Sequence, residues 1–592
     1  MTIDPRHAYQ TRRAQWSQCV DAGMARDQQL VWLRGALFIA GCLAIGLSAY
    51  GRLSWWWCLA LWVSFGLAAW VHEQVIVARQ RAERAVTWYL AGLARLDGQW
   101  VGQGDRGDDL LPSDHPYARD LDLIGAGSLF ERISTARTAL GRQVLATWLG
   151  SPAEVPEVLQ RQEAIRELTP LLELREELAL AAEAAPRRIV LPSEPGPDPS
   201  WLFAIGCAVL VNLAVPIAIL MRWLPPVTVL GTVLFGAGIA LLMRPRVQAA
   251  LHYGAALKQQ LRQLLGVLQH IERQPFQSKL LVQLKARLGR ELGASQASAQ
   301  LAATLDRWDW RLNQVFLPLS MILMWTSIHA VMIERWRRRH GAEVENWLLV
   351  AAEFEALTAL ASFAFEEPTA HYPELVAAPA RFEATGLSHP LLHDAECVRN
   401  DVSLGREVRI MIVSGSNMSG KSTLLRSIGL NLALALAGAP VRAERLVLSG
   451  LKMAASLRIQ DSLLEHRSLF LSELGRLRQL IDLARSSEPT LFLIDEIFHG
   501  TNSHDRRIGA GAMLEELCSL GAIGLVTTHD LAITQVVESL GPVVVNNHFV
   551  DHLENGEMRF DYRLHSGVVT KSNALELMRA TGLLRGAEPT GG

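Results

Sequence analysis

The sequence predicts an α/β phosphate-loop domain at its C-terminal end, carried by an all-helical N-terminal half that contains membrane-spanning hairpins. Three observations lead there. Short β-branched runs begin to alternate with helical text after about Arg406, the pattern of a largely parallel sheet. One of those runs, residues 409–414, passes directly into the glycine-rich stretch 415–422. Upstream, two pairs of long apolar runs are each joined by a short turn and flanked by arginines.

Composition narrows the classes. Half of the 592 residues are hydrophobic, a fifth are charged, and the formal net charge is −2. A near-neutral chain has no global basic field for nucleic acid, which leaves only local patches such as the basic helix from Lys279 to Arg290. The six cysteines, Cys19, Cys42, Cys58, Cys207, Cys397 and Cys518, include no CxxC pair. They read as free thiols in a reducing compartment.

The first apolar pair, residues 30–50 and 53–71, lies within an N-terminal region 1–100. Each run approaches the ~20 residues that a helix needs to cross a bilayer core. Gly51 and Arg52 separate them, and Trp55, Trp56 and Trp57 sit at the turn, where an interfacial aromatic belt lies. Arg6, Arg12, Arg13 and Arg26 precede the pair, and Arg79, Arg81 and Arg84 follow it. Both ends therefore belong on the cytoplasmic side. No small-residue cleavage site follows the first run, so it reads as an anchor. The second pair, 201–243, turns at Arg222, Trp223, Leu224, Pro225 and Pro226. Arg187 and Arg188 before it, and Arg244 and Arg246 after it, give the same polarity. A third run, 315–333, holds Pro318 and His329. A single extra crossing would carry the C-terminal domain away from cytoplasmic ATP, so this run is expected to be a core or interfacial helix. Residues 251–292 and 347–364 carry apolar residues at helical spacing and are expected to form amphipathic helices.

The stretch from Gly415 to Ser422 is a complete Gly-x4-Gly-Lys-Ser pattern between a strand and a helix that ends at Gly438 and Pro440. Gly415 and Gly420 let the backbone curl so that its N–H groups face phosphate oxygens. The helix N-terminus adds its positive dipole end. Lys421 is expected on the β- and γ-phosphates of ATP, and the Ser422 hydroxyl on Mg²⁺. Downstream, the apolar strand 491–494 delivers Asp495 and Glu496 to its carboxyl end, where open α/β sheets bind ligands. Asp495 is expected to hold Mg²⁺, and Glu496 to activate the attacking water. A further strand, 523–527, ends just before His529, a place where it resembles the histidine of ABC-type ATPases, which implies that it senses the γ-phosphate.

These segments resemble the MutS family of ABC-type ATPases. SGSNMSGKSTLLRSIG (414–429) is similar to its phosphate loop, which implies that Asn417 and Thr423 join in nucleotide binding. DEIFHGTNSHDR (495–506) and TTHDLAIT (527–534) resemble its Walker B, D-loop and histidine segments. DSLLEHRSLFLSE (461–473) resembles the signature that reaches across a dimer, which implies that Ser468 contacts the partner's γ-phosphate. Glu465 and His466 stand where the family has a Ser-Gly pair, and Cys397 or Val398 where it places an aromatic against adenine. The tail 567–583 is similar to the end of the family's ATPase domain. GAGSLFERISTARTALGRQVLATWLGSP (125–152) resembles the start of its helical lever. The implied organisation is a lever domain at 115–385, interrupted by the second hairpin, and an ATPase domain at 386–592. The family's mismatch-reading and connector domains have no counterpart in these segments, and Phe365-Glu366-Glu367 matches its Phe-x-Glu wedge only in letters.

Three functions follow as expectations. The first is a homodimeric, Mg²⁺-dependent ATPase held in lipid at a bacterial-type inner membrane, with its motor in the cytoplasm and ATP closure driving the lever. The second is a membrane-tethered clamp that binds mismatched, damaged or structured DNA in repair or recombination. The third, half of an ABC transporter, would require more spans.

Overall fold

The computed structural model describes residues 4–181, 194–289, 293–314, 316–377, 379–416, 418–457, 469–486, 488–498, 503–554 and 557–569. The helical half begins with α1 (Pro5–Ala49) and α2 (Trp55–Leu96). Four shorter helices follow: α3 (Leu129–Ile133), α4 (Ala139–Gly150), α5 (Val155–Leu168) and α6 (Leu172–Ala181). Next come α7 (Trp201–Leu220), α8 (Thr228–Arg273), α9 (Lys279–Ala286), α10 (Ala294–Asp309), α11 (Leu317–Ile322) and α12 (Trp325–Glu366).

Local chemistry explains the two long hairpins. Asp4 caps α1 by accepting from the backbone N–H of Arg6 and His7. Gly51, at φ 71°, makes the turn before Ser54 caps α2. At 45 and 42 residues, these helices run about 65 Å, twice the ~30 Å core of a bilayer. Below their apolar tips a polar clasp joins them. His72 is bonded to Asp27 (2.6 Å) and Arg34 (2.7 Å), and Arg79 to Asp27 (2.9 Å). In the second hairpin α7 turns through residues 221–227 into α8. Among the described residues, five helices are long and apolar enough to cross a membrane by length and composition. In α1, α2, α7 and α8 the apolar window is only 11–17% buried, whereas in α12 it is 78% buried inside the protein.

Three sequence expectations need correction. The amphipathic helix expected over 251–292 breaks after Arg273, because Pro275 cannot continue the hydrogen-bond ladder, and α9 restarts at Lys279. The run 315–333 is likewise not one helix. It divides at Met324, which adopts a left-handed φ of 47°. The half before it is α11, with exposed apolar side chains, and the half after it joins α12. The expected helix 347–364 lies within α12 but is buried nearly all round, not on one face.

Glu355 of α12 accepts from the Thr138 hydroxyl (2.7 Å) and backbone N–H (3.2 Å) at the start of α4. Gly141 is required there, since a Cβ would lie 1.9 Å from a Glu355 oxygen. Burial pushes the Glu355 carboxyl up to about 7 against the Thr138 bonds. The folded protein therefore holds this proton after the unfolded chain has released it. Stability from this group falls as pH rises from about 4.5 to about 7 and is flat above that, a total on the order of 3 kcal/mol. In Glu355→Gln this slope is expected to vanish, so the variant's melting temperature should exceed the wild type's at pH 8 and match it near pH 4.5. Parallel melting curves of the two proteins across that range would refute the assignment.

The C-terminal part contains two sheets. A small one, order β1-β5-β2-β3, is built from β1 (Glu374–Leu375), β2 (Phe382–Leu387), β3 (Asn400–Leu404) and β5 (Arg445–Leu448). The larger, order β10-β9-β4-β8-β7-β6, contains β4 (Ile410–Ser414), β6 (Lys452–Ser456), β7 (Thr490–Ile494), β8 (Ile523–Thr528), β9 (Val544–Glu554) and β10 (Glu557–Ser566). All its pairs are parallel except β9–β10. The helices are α13 (Lys421–Ala437), α14 (Leu469–Ala484), α15 (Ser503–Ser519), α16 (Leu531–Thr534) and α17 (Val536–Leu540). Mixed α/β structure thus follows a largely helical half, as expected, while the small sheet was not anticipated. One buried core runs through both parts and includes Leu121, Leu145, Leu360, Leu425 and Ile428. The helical half packs directly on α13. A Cβ at Gly429 would meet Leu121 at 2.5 Å, and one at Gly438 would meet Arg161 at 2.5 Å.

Candidate functional site

Parallel pairing brings three strand ends to one edge. Ser414 of β4 is in register with Thr528 of β8, and Val526 of β8 with Ile494 of β7. The residues that follow, Gly415, Asp495 and His529, therefore emerge side by side. The strand β8 lies between the glycine-rich loop and the carboxylate pair, a placement that the linear order of motifs does not reveal.

Backbone shape in the loop follows from its glycines. Gly415 has φ 154° and Gly420 φ 106°, and Gly420 caps α13 in a left-handed conformation. Lys421, buried at the first position of α13, turns back and donates to the carbonyls of Gly415 (2.8 Å) and Ser416 (2.7 Å). Burial pushes its ammonium pKa down, and Asp495, Glu496 and Asp551 oppose that shift. The buried hydroxyl oxygens of Ser416 and Ser419 have no hydrogen-bond partner among the described residues.

Across the loop, the Ser422 hydroxyl donates to Asp495 at 2.5 Å. The other Asp495 oxygen accepts from the Thr527 hydroxyl, and Thr527 in turn accepts from the Glu496 backbone N–H at 3.2 Å. Thr527 thus fixes both members of the carboxylate pair, a role the sequence did not signal. Glu496 and Phe498 both hold left-handed backbone, at φ 54° and 55°. Such strain costs of order 1 kcal/mol or more per residue and collects at functional sites. The Phe498 N–H donates to the buried carboxylate of Glu473 in α14, and its carbonyl accepts from Arg506 at 3.0 Å. His529 Nδ1 lies 3.5 Å from Glu496 Oε1, with both side chains partly exposed. Thr423 is exposed one residue beyond Ser422.

Other predicted residues fall elsewhere. Asn417 and Ser468, with Glu465 and His466, lie outside the described residues, as does nearly all of the tail 567–583. Cys397 is turned inward, its Sγ accepting from the His389 N–H at 3.3 Å. Phe365 packs on the Tyr9 ring, 5.5 Å between centroids, and Glu366 is bonded to Tyr9 and Arg95. An aromatic that the sequence did not single out stands at the loop instead. Tyr562, at a register irregularity in β10, has φ 54° and is 45% exposed. A Cβ at Gly420 would lie 3.2 Å from its ring. Asn400 clamps this bulge, donating to the Tyr562 carbonyl (3.0 Å) and accepting from Leu564 N–H (2.8 Å).

The site is defined first by class: a strand–loop–helix anion cradle with a lysine inside it, facing a hydroxyl-bonded aspartate and a strained glutamate. Residues 411–585 match the family model for MutS domain V. An endonuclease MutS2 of Thermus thermophilus is 35% identical over 211 residues, 34% of this chain and 26% of that protein. A DNA mismatch repair protein MutS of Thermotoga petrophila is 29% identical over 242 residues, 40% of this chain and 30% of its own length. A DNA mismatch repair protein MutS 2 of Halobacterium salinarum is 30% identical over 251 residues, 42% and 29% respectively. The matched segment spans less than a third of each of these curated relatives.

Proposed function

We propose that this chain is a membrane-anchored, MutS-like ATPase that binds and hydrolyses ATP with Mg²⁺ between two copies of residues 386–592 and couples that cycle to its helical lever. The observation that carries the reading is the Ser422–Asp495 bond at 2.5 Å beside the buried Lys421. Two oxygen ligands of the type Mg²⁺ prefers are thereby placed together at the mouth of a phosphate cradle.

The residues present fit the nucleotide and its metal. Lys421 would hold the β- and γ-phosphates, and the Ser416 and Ser419 hydroxyls, without a partner among the described residues, line the same loop. Ser422 and Asp495 would hold Mg²⁺, which when bound would supply charge neutralisation on the phosphates. Thr527 keeps Asp495 oriented. Glu496 accepts a proton from the attacking water, and His529 beside it meets the γ-phosphate. Tyr562 offers its exposed ring to the base in place of Cys397. Tyr562→Ala is expected to raise the Kd for ATP about tenfold, in line with ~1–3 kcal/mol per stacked base, and Tyr562→Phe to leave it unchanged. Equal affinities of the alanine variant and wild type in a fluorescent-nucleotide titration would remove that assignment.

Coupling to the lever is supported by contacts on α13. Arg426 reaches the Asp120 carbonyl (3.4 Å) and the Asp122 carboxylate (3.3 Å). Asn431 accepts from the Arg442 N–H at 2.8 Å, and the Arg442 guanidinium lies 3.7 Å from Glu367 at the end of α12. Glu366, next to it, is paired with Arg95 of α2 at 2.6 Å. A line of buried polar groups thus joins the phosphate-loop helix to the base of the first hairpin. Membrane anchoring is supported by exposed apolar side chains on the hairpins, Trp56 at 77% and Trp223 at 79% exposure at the two turns and Phe203 at 81% near the start of α7. The arginines flanking each hairpin support a cytoplasmic motor.

A second reading, DNA binding in repair or recombination, is favoured by what the names of the relatives say of them. Detergent-purified protein tests both. Mg²⁺-dependent ATP turnover is expected, and its absence would end the first reading. Duplex and mismatched DNA titrated from low to high salt is expected to show no binding above background, and specific binding would favour the second.

A further inference from the structure

The break at Met324 sets off residues 310–314 and 316–324 as a turn whose surroundings are not those of a soluble loop. Its helix α11 leans on the middle of α7, where Asn212 Nδ2 donates to the Ile322 carbonyl at 3.1 Å. Asn212 lies eleven residues beyond Trp201, the start of α7, which is about 16 Å along the helix axis and half the thickness of a bilayer core. Leu317, Leu319, Met321 and Ile322 are all exposed, Met321 by 70%. No charged residue occurs from 312 to 333.

We propose that this segment is a re-entrant wedge that enters the bilayer beside the second hairpin and returns on the same side, with the lipid acyl chains as its partner. The proposal rests on the membrane reading of the hairpins. If α7 crosses the bilayer, α11 is carried to mid-depth with it, and its exposed apolar face continues that of α7. A segment in that place must satisfy its own backbone, and bonds within it pair several of its described N–H groups. Leu317 N–H donates to Asn313 O (2.9 Å), Ser320 N–H to Phe316 O (2.8 Å), Leu323 N–H to Leu319 O (3.0 Å) and Ile328 N–H to Met324 O (3.1 Å). The Ser320 hydroxyl turns inward onto the Leu317 carbonyl (2.7 Å), and Asn212 takes the carbonyl at the far end. At the mouth of the turn Trp310 stacks on Trp325, with ring centroids 6.2 Å apart and planes 9° from parallel. Trp325 Nε1–H donates to the Arg307 carbonyl at 2.9 Å. Arginine and tryptophan together are the composition of a headgroup layer. Beyond Trp325 the chain descends into the protein core at Val331, Ile333 and Trp336. The wedge therefore adds no crossing, and the nucleotide domain keeps the side on which both hairpins begin and end.

The test is the depth of a nitroxide in the full-length protein, with its native cysteines replaced and reconstituted in phosphatidylcholine–phosphatidylglycerol vesicles. Labels are placed at Met321→Cys, at Leu234→Cys on α8 as hairpin control, and at Arg478→Cys on α14 as aqueous control. Collisions with molecular oxygen and with a water-soluble nickel chelate are then compared. The Met321 label is expected to be oxygen-accessible and nickel-protected to the same degree as Leu234. A Met321 label that behaves like Arg478 while Leu234 remains in lipid overturns the wedge alone. One shielded from both reagents overturns it in favour of a protein partner. Aqueous behaviour at both Met321 and Leu234 overturns the membrane reading and the wedge together.

Discussion

Glu496→Gln is expected to bind ATP as the wild type does and to hydrolyse it about 10²–10⁴-fold more slowly, the usual contribution of a positioned general base. The side chain stays the same size, so the left-handed turn at φ 54° and the Thr527 bond to its backbone are retained. What is lost is the carboxylate proposed to take the water's proton. Single-turnover hydrolysis, measured beside a nucleotide titration, separates chemistry from binding. Near-normal turnover would transfer the role to another group, and His529, 3.5 Å away, is the first to examine. A large loss of affinity would instead show that Glu496 shapes the cradle.

Lys421→Ala is expected to abolish measurable ATP binding at micromolar concentrations. Charge-assisted hydrogen bonds contribute about 1.5–3 kcal/mol each, so losing the β- and γ-phosphate contacts raises Kd by roughly 10²–10⁴-fold. Two further effects act in the same direction. The carbonyls of Gly415 and Ser416 lose the donor that draws the loop together. The attraction between Lys421 and Asp495, Glu496 and Asp551 is lost as well, which leaves the site more negative toward a polyanion. Lys421→Arg keeps the charge but not the shape, and its failure to restore binding would show that the compact ammonium is required. Retained affinity in Lys421→Ala would refute the phosphate-cradle assignment.

Much of the molecule is legible in local sequence because its signals are local. The helix start at Lys421 and its stop at Gly438 follow from one left-handed glycine at each end. The hairpin turns follow from residues that cannot continue an apolar helix. The strands that carry the site follow from β-branched runs, and Ser422 with Asp495 follows from motif spacing. Arg409–Ser414 and its neighbours needed no partner to be recognised as strands, whereas β2 and β3 hold one β-branched residue each, and β1 and β5 only two and four residues. The break at Met324 escaped notice because the apolar run continues through it unchanged.

The sequence by itself determined the phosphate loop, the carboxylate pair, the two hairpins and the change from helical to α/β text, since each depends on contacts within a few residues or on a fixed spacing. Only the tertiary structure decided that β8 lies between the loop and the carboxylates, so that Thr527 fixes both acids. It also decided that Tyr562, and not Cys397, faces the loop, and that α12 is buried while α11 is bare. These depend on which strand or helix becomes a neighbour, and neighbours are chosen by the packing of segments far apart in the chain.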